Sequence, residues 1–305
     1  MKRIHNILCP VDFFPASEGA AMYAIALANK LGARLTLLHV VEPVVTWASE
    51  FPLDTTELVN EMTARSSEEL KKLARRAKGA KIRVDVLLRT GEVDIQIQSL
   101  IPKRSIDFVV MGTHGRRGLE KFFMGSTTER LLRKLQVPLL TIRNIKSTAV
   151  PAGIRVRHIL VTIDFSEGTT DSIAYAFAIA QQYHAKVTLL HVLNDIDADI
   201  SGRYRDQLIR TIRRDLEELL PGDARKSRNV TVRVETGRPI RRILPMIRKE
   251  EIDLVVMNIH GKTLLDRLSL GSTAEKLVRG SAAPVLVIPP TPTTKGRQRR
   301  SKRAA

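Results

Sequence analysis

Residues 112–126, GTHGRRGLEKFFMGS, decide how the rest of the chain is read. They follow an apolar run, Phe108-Val109-Val110-Met111, too short for a helix and suited to a buried strand. They end at Ser126-Thr127-Thr128-Glu129, where a helix is expected to start. The glycines are spaced Gly112-x2-Gly115-x9-Gly125-Ser126. Glycine permits positive φ and close backbone approach. A helix N-terminus offers free N–H groups and a partial positive charge. Strand, glycine loop and helix start together make a phosphate cradle. A plainer reading is a βα loop with turn glycines and a capping box from Ser126 to Glu129. No Walker A pattern and no GxGxxG is present.

The pattern comes twice, which favours the phosphate reading. His5 to Phe13, HNILCPVDF, matches Arg157 to Phe165, RHILVTIDF, so Asp12 pairs with Asp164 at an offset of 152. ARLTLLHVV from Ala33 matches AKVTLLHVL from Ala185 at the same offset. Thr90-Gly91, Asp107, Gly125-Ser126 and Pro138 recur 146 residues later, as Thr236-Gly237, Asp253, Gly271-Ser272 and Pro284. The repeat predicts a first domain over 1–144, a linker over 145–155, a second domain over 156–290 and a basic tail over 291–305.

Each copy alternates short apolar runs with helical patterns. In the first, strands are expected over 4–11, 35–41, 81–88, 107–111 and 137–142, and helices over 17–31, 55–78, 92–103 and 127–135. Ala21, Ala24, Ile25, Ala28 and Leu31 share one face of the first helix, and Ile173, Ala176, Phe177, Ala180 and Tyr183 share its counterpart. Strands alternating with helices imply right-handed crossovers and a parallel sheet covered on both faces. Ligands of such sheets bind beyond the carboxyl ends of the strands. Asp12, Val40, Val41 and the glycine loop meet there if strands one and four are neighbours.

Composition narrows the function classes. The chain has 305 residues and a formal net charge of +18, six of which lie in 295–303, KGRQRRSKR. Such a balance favours anionic partners. Aromatics are 4%, too few for base-stacking platforms. No apolar run approaches the roughly 20 residues of a membrane span, and no signal peptide is read, so a cytoplasmic protein is expected. The single cysteine, Cys9, sits mid-strand and is expected to be a buried, inert thiol. His39 and His191 lie in apolar strands and are read as core histidines satisfied by hydrogen bonds.

Taken together, the glycine spacing, the aspartate after strand one and the short apolar fifth strand resemble the universal stress protein family. The resemblance covers roughly 3–144 and 156–289. It implies two tandem α/β domains of the adenine nucleotide alpha hydrolase-like type, each a five-stranded parallel sheet with helices on both faces. For members with this loop it implies ATP binding, with magnesium as an optional companion. Asp12 and Val40 would hold adenine and ribose. Met111, Gly112, His114 and Gly115 would line ribose and phosphates, and Gly125, Ser126, Thr127 and Thr128 would take the phosphates. A second, weaker site would use Asp164, Val192, His260, Gly261, Gly271, Ser272 and Thr273. It departs from the pattern at Asn258, which stands where Gly112 stands. Tandem members often pair their halves through the fifth strands, here 137–142 and 284–288, and homodimerisation of the whole chain stays open.

Simpler roles remain open for several of these residues. Asp12 could cap the turn after its strand. His114 and His260 could be loop-structural, and Arg116 and Arg117 could be a solvated basic face. No catalytic constellation is read: the phosphate loop has no metal-ligand set and no positioned base, so any hydrolysis is expected to be slow. The nucleotide is expected to shift a conformational or oligomeric equilibrium. A nucleotide-using enzyme of related fold and a basic nucleic-acid-associated stress protein are the alternatives.

Overall fold

The computed structural model describes residues 4–42, 56–77, 81–113, 125–143, 153–194, 202–222, 224–259 and 271–289. The first repeat runs β1 (Asn6–Pro10), α1 (Pro15–Leu31), β2 (Arg34–Val41), α2 (Thr56–Arg75), β3 (Val84–Thr90), α3 (Val93–Lys103), β4 (Phe108–Gly112), α4 (Ser126–Lys134) and β5 (Leu139–Ile142). The second runs β6 (His158–Thr162), α5 (Thr169–Tyr183), β7 (Lys186–Leu193), α6 (Gly202–Glu218), β8 (Val230–Thr236), α7 (Pro239–Lys249), β9 (Leu254–Asn258), α8 (Ser272–Gly280) and β10 (Val285–Ile288). The chain forms two compact units, one of Lys2–Arg155 with Glu275–Leu286 and one built on Val156–Ala274 with Val287–Ala305. Within the former, the buried Thr141 hydroxyl donates to the Val285 carbonyl at 3.1 Å. The expectations for 43–55, 114–124, the linker 145–152 and the tail 291–305 lie outside the described residues.

Each repeat is a five-stranded parallel sheet. The order is β3-β2-β1-β4-β5 in the first and β8-β7-β6-β9-β10 in the second. β1 is central, pairing with β2 from Asn6↔Arg34 to Pro10↔Leu38 and with β4 at Ile7↔Phe108 and Leu8↔Val109. β6 sits likewise between β7 and β9. The first two crossovers step the chain one way along the sheet and the last two step back past β1. Right-handed connection therefore puts α1 and α2 on one face and α3 and α4 on the other.

The core explains the strand sequences. Ile7, Leu8 and Cys9 of β1, Leu35, Leu37 and Leu38 of β2, and Val109 and Val110 of β4 are wholly buried, as a sheet covered on both faces requires. In α1, Ala20, Ala21, Ala24 and Ala28 are buried, and the helix packs on β1, β2, β4 and β5. Tyr23 and Leu27 join them, whereas Leu31 is only half-buried. In α5 the expected Ile173, Ala176 and Ala180 are buried and Tyr175 and Ile179 join them, while Phe177 and Tyr183 are half-buried. Asp107 and Asp253 recur for a local reason. Asp107 accepts from the His5 and Asn6 amides at 2.9 and 3.2 Å, and Asp253 from the Arg157 and His158 amides at 2.7 and 3.0 Å. Each closes the start of its repeat's first strand.

Burial pushes the Cys9 thiol well above the usual cysteine range, because its thiolate would be cut off from water. Cys9 is therefore expected to resist iodoacetamide at pH 8 in the native protein and to react quickly once urea unfolds the chain. Fast labelling of folded protein would show that β1 opens locally.

Candidate functional site

The carboxyl ends of β1, β2 and β4 meet at one edge of the first repeat. β1 leads into Asp12, whose Oδ1 accepts from the Phe14 amide at 3.1 Å and from the Ser17 hydroxyl at 2.5 Å. Ser17 Oγ in turn accepts from the Asp12 amide at 3.1 Å. The simpler reading of Asp12 is thus realised with one carboxylate oxygen. The other, Oδ2, carries no hydrogen bond among the described residues. Sequence reasoning missed Ser17; a hydroxyl five residues after a strand-end aspartate is the available signal.

The residue after Asp12 adopts a left-handed backbone, Phe13 at φ 63°, and its repeat partner Phe165 does so at 56°. Such a conformation is costly for a bulky residue and is kept only where its surroundings hold it. Here the holder is the histidine of the next strand. His39 Nδ1 donates to the Val11 carbonyl at 2.8 Å, and its ring lies 4.5 Å from the Phe13 ring. His191 repeats this with Ile163 at 2.7 Å and Phe165 at 5.0 Å. Both histidines are hydrogen-bonded parts of the scaffold, as the apolar strand pattern predicts.

The loop that begins after β4 is closed at its base by a backbone clasp. The Thr113 amide donates to the Ile142 carbonyl at 3.0 Å, and the Gly125 amide donates to the Thr113 carbonyl at 2.9 Å. α4 starts from Gly125 as its N-cap, without a side-chain cap, so no capping box forms from Ser126. The first helical bond runs from the Glu129 amide to the Gly125 carbonyl at 3.0 Å. The amides of Ser126, Thr127 and Thr128 therefore precede the helical ladder and have no acceptor within it. Thr128 is buried, and its hydroxyl donates to the Gly112 carbonyl at 3.3 Å. Its backbone amide is what it can offer an anion. Val40 and Met111 are buried near the carboxyl ends of β2 and β4. His114 and Gly115 lie outside the described residues. No cluster of three or more His, Cys, Asp or Glu that could hold a metal occurs among the described residues.

A family model described as the universal stress protein family matches residues 3–143 and again 155–289. The chain belongs to the universal stress protein family. Two universal stress proteins of Methanocaldococcus jannaschii resemble it over single repeats. One is 29% identical over 141 residues, covering 43% of this chain and 81% of the relative. The other is 25% identical over 152 residues, covering 43% and 94%. A solved universal stress protein of Archaeoglobus fulgidus matches 93% of this chain and 96% of its own at 23% identity, with a TM-score of 0.71, a likeness of fold. No helix among the described residues is long and apolar enough to cross a membrane.

The two edges of this universal stress protein differ in what stands at the Gly112 position. A Cβ on Gly112 would lie 2.9 Å from the Ala16 carbonyl carbon and oxygen and 3.0 Å from the Ser17 nitrogen. The close neighbour of this glycine is thus the first turn of α1. In the second repeat Asn258 takes the place and is 7% exposed. α5 starts at Thr169, two residues later than α1 in the repeat frame, after Gly168 at φ 95°. The Asn258 carboxamide fills the opened space. Oriented with its oxygen toward donors, it accepts from the Thr169 amide at 3.0 Å, with Ser166 Oγ 3.2 Å away, and donates to the Gly168 carbonyl at 3.1 Å and to Ser172 Oγ. Asp164 is held locally too, its Oδ1 accepting from the Ser166 amide at 3.0 Å and hydroxyl at 2.6 Å. Val192 stays buried at the end of β7, and Gly271, Ser272 and Thr273 open α8. His260 and Gly261 lie outside the described residues.

Gly112→Ala is expected to destabilise the protein by about 1–3 kcal/mol, the usual cost of forcing an atom into a packed contact. Urea unfolding followed by circular dichroism measures it. A loss below about 0.5 kcal/mol, the range of neutral surface changes, would show that α1 moves aside freely.

Proposed function

We propose that the first repeat binds ATP and that the bound nucleotide serves a stress-response or regulatory role. The observation that carries this reading is the clasp between Thr113 and Gly125. It opens α4 at the carboxyl edge of the sheet with three amides outside the helical ladder. Phosphates would take those amides of Ser126, Thr127 and Thr128, where the helix dipole also favours negative charge. Adenine and ribose would lie over Val40 and Met111, with the free oxygen of Asp12 accepting from a ribose hydroxyl. Gly112, His114, Gly115 and Gly125 would complete the phosphate side. Magnesium, where it takes part, would arrive on the phosphates, since the described residues offer it no ligand cluster.

The second repeat is a weaker site in this account. Asn258 and its partners Ser166, Thr169 and Ser172 fill the ground between β9 and the start of α5. Regulation requires that ATP bind two states of the protein unequally. Pairing of the repeats through their fifth strands, or of whole chains into a homodimer, would provide such states.

Thermal unfolding of nucleotide-free protein tests the reading. ATP with magnesium at a hundred times its Kd should stabilise the native state by about 2.7 kcal/mol and raise Tm by several degrees. No shift at millimolar ATP, in protein shown by mass spectrometry to carry no nucleotide, would contradict it.

A further inference from the structure

Asp94 is the second residue of α3 and is 1% exposed. Two cations of α4 reach it. Lys134 Nζ donates to Oδ2 at 3.3 Å, and Arg130 Nε stands 3.2 Å from Oδ1. The Arg130 N–H is not aligned with Oδ1, so that contact is an ion pair without a hydrogen bond. Arg130 and Lys134 are four residues apart, on one face of the helix. A single buried carboxylate thus grips two successive turns of α4. Its burial as an anion is tolerable only with such partners.

The second repeat has no such grip. At the same offset of 146, Asp94 corresponds to Ile240, Arg130 to Lys276 and Lys134 to Gly280. The α/β fold therefore forms without it, and the grip is special to the first repeat. It also acts on one helix in particular. α4 is nine residues long, too short to hold its own position. Its first turn is fixed by the Gly125–Thr113 clasp and by Thr128 on Gly112. Asp94 fixes its later turns.

We propose that Asp94 is a positioning residue for the phosphate end of the first site. It sets the axial position and rotation of α4, and through them the aim of the Ser126, Thr127 and Thr128 amides. The proposal rests on the ATP reading above. It makes a prediction opposite to that of simple charge counting. Neutralising Asp94 leaves Arg130 and Lys134 uncompensated, which by field alone would strengthen binding of a polyanion. Loss of aim weakens it.

Calorimetric titration of the nucleotide-free full chain with magnesium-ATP and, separately, with adenosine tests this. Adenosine shares the base and sugar but not the phosphates. The unaltered protein should prefer ATP. Asp94→Asn should weaken ATP binding about tenfold, a typical cost of loosening the support of a binding group, and leave adenosine binding unchanged. Asp94→Glu should restore part of the preference. Lys134→Met, at a half-exposed position that the fold tolerates, should move the ratio in the same direction by less. A general loss of stability would weaken both ligands alike and leave their ratio untouched. An ATP-to-adenosine ratio that is unchanged or raised in Asp94→Asn overturns the proposal. Should circular dichroism show that variant unfolded, the ratio in Lys134→Met decides alone. If the unaltered protein binds neither ligand, the ATP reading falls and this inference with it. If it binds ATP and the variants keep its ratio, only the inference falls.

Discussion

The close approach of β4 to the first turn of α1 at Gly112 governs how the first repeat ends its sheet. A side chain there would meet the Ala16 backbone at 2.9 Å, so only glycine lets the helix start two residues early and lie against the strand. From Gly112 the chain passes to Thr113, whose carbonyl receives Gly125 and so sets where α4 begins. The Gly112 carbonyl also receives the Thr128 hydroxyl. One small residue thus links the starts of the two helices that border the edge, one on each face of the sheet.

The second repeat lacks that constraint and ends its sheet differently. Asn258 carries polar groups into a buried place, and each needs a partner there. The Thr169 amide, the Gly168 carbonyl and Ser172 supply them, with Gly168 in a positive-φ turn that the later helix start requires. Both solutions are well packed, and both belong to the same family fold. They differ in what fills the ground beside the fourth strand: the first turn of α1 in one repeat, and a polar side-chain cluster in the other.

Much of this is legible in the sequence. Short apolar runs alternating with helical patterns, repeated at fixed offsets, are enough for the fold. Strand ends are less so. Val84–Thr90 runs to Thr90 because Arg89 and Thr90 pair with Val40 and Val41, although neither is apolar. Leu139–Ile142 starts after Pro138, which has no amide to give the sheet. At the site, the glycine spacing marks the loop, but what the spacing does not reveal is that the close neighbour of Gly112 is the first turn of α1. Asp94 is invisible in the sequence for a simpler reason: α3 and α4 are 36 residues apart at Asp94 and Arg130, and only the order of the sheet brings them together.

The two repeats share a fold, and on the reading proposed here they do not share a nucleotide site of equal strength. Counting bound ATP per chain tests this most directly. Native mass spectrometry of nucleotide-free protein, titrated with magnesium-ATP, should show one ATP per chain filling well before any second. Two ATP molecules filling together would contradict the account, because the cluster around Asn258 would then leave the second edge as open as the first.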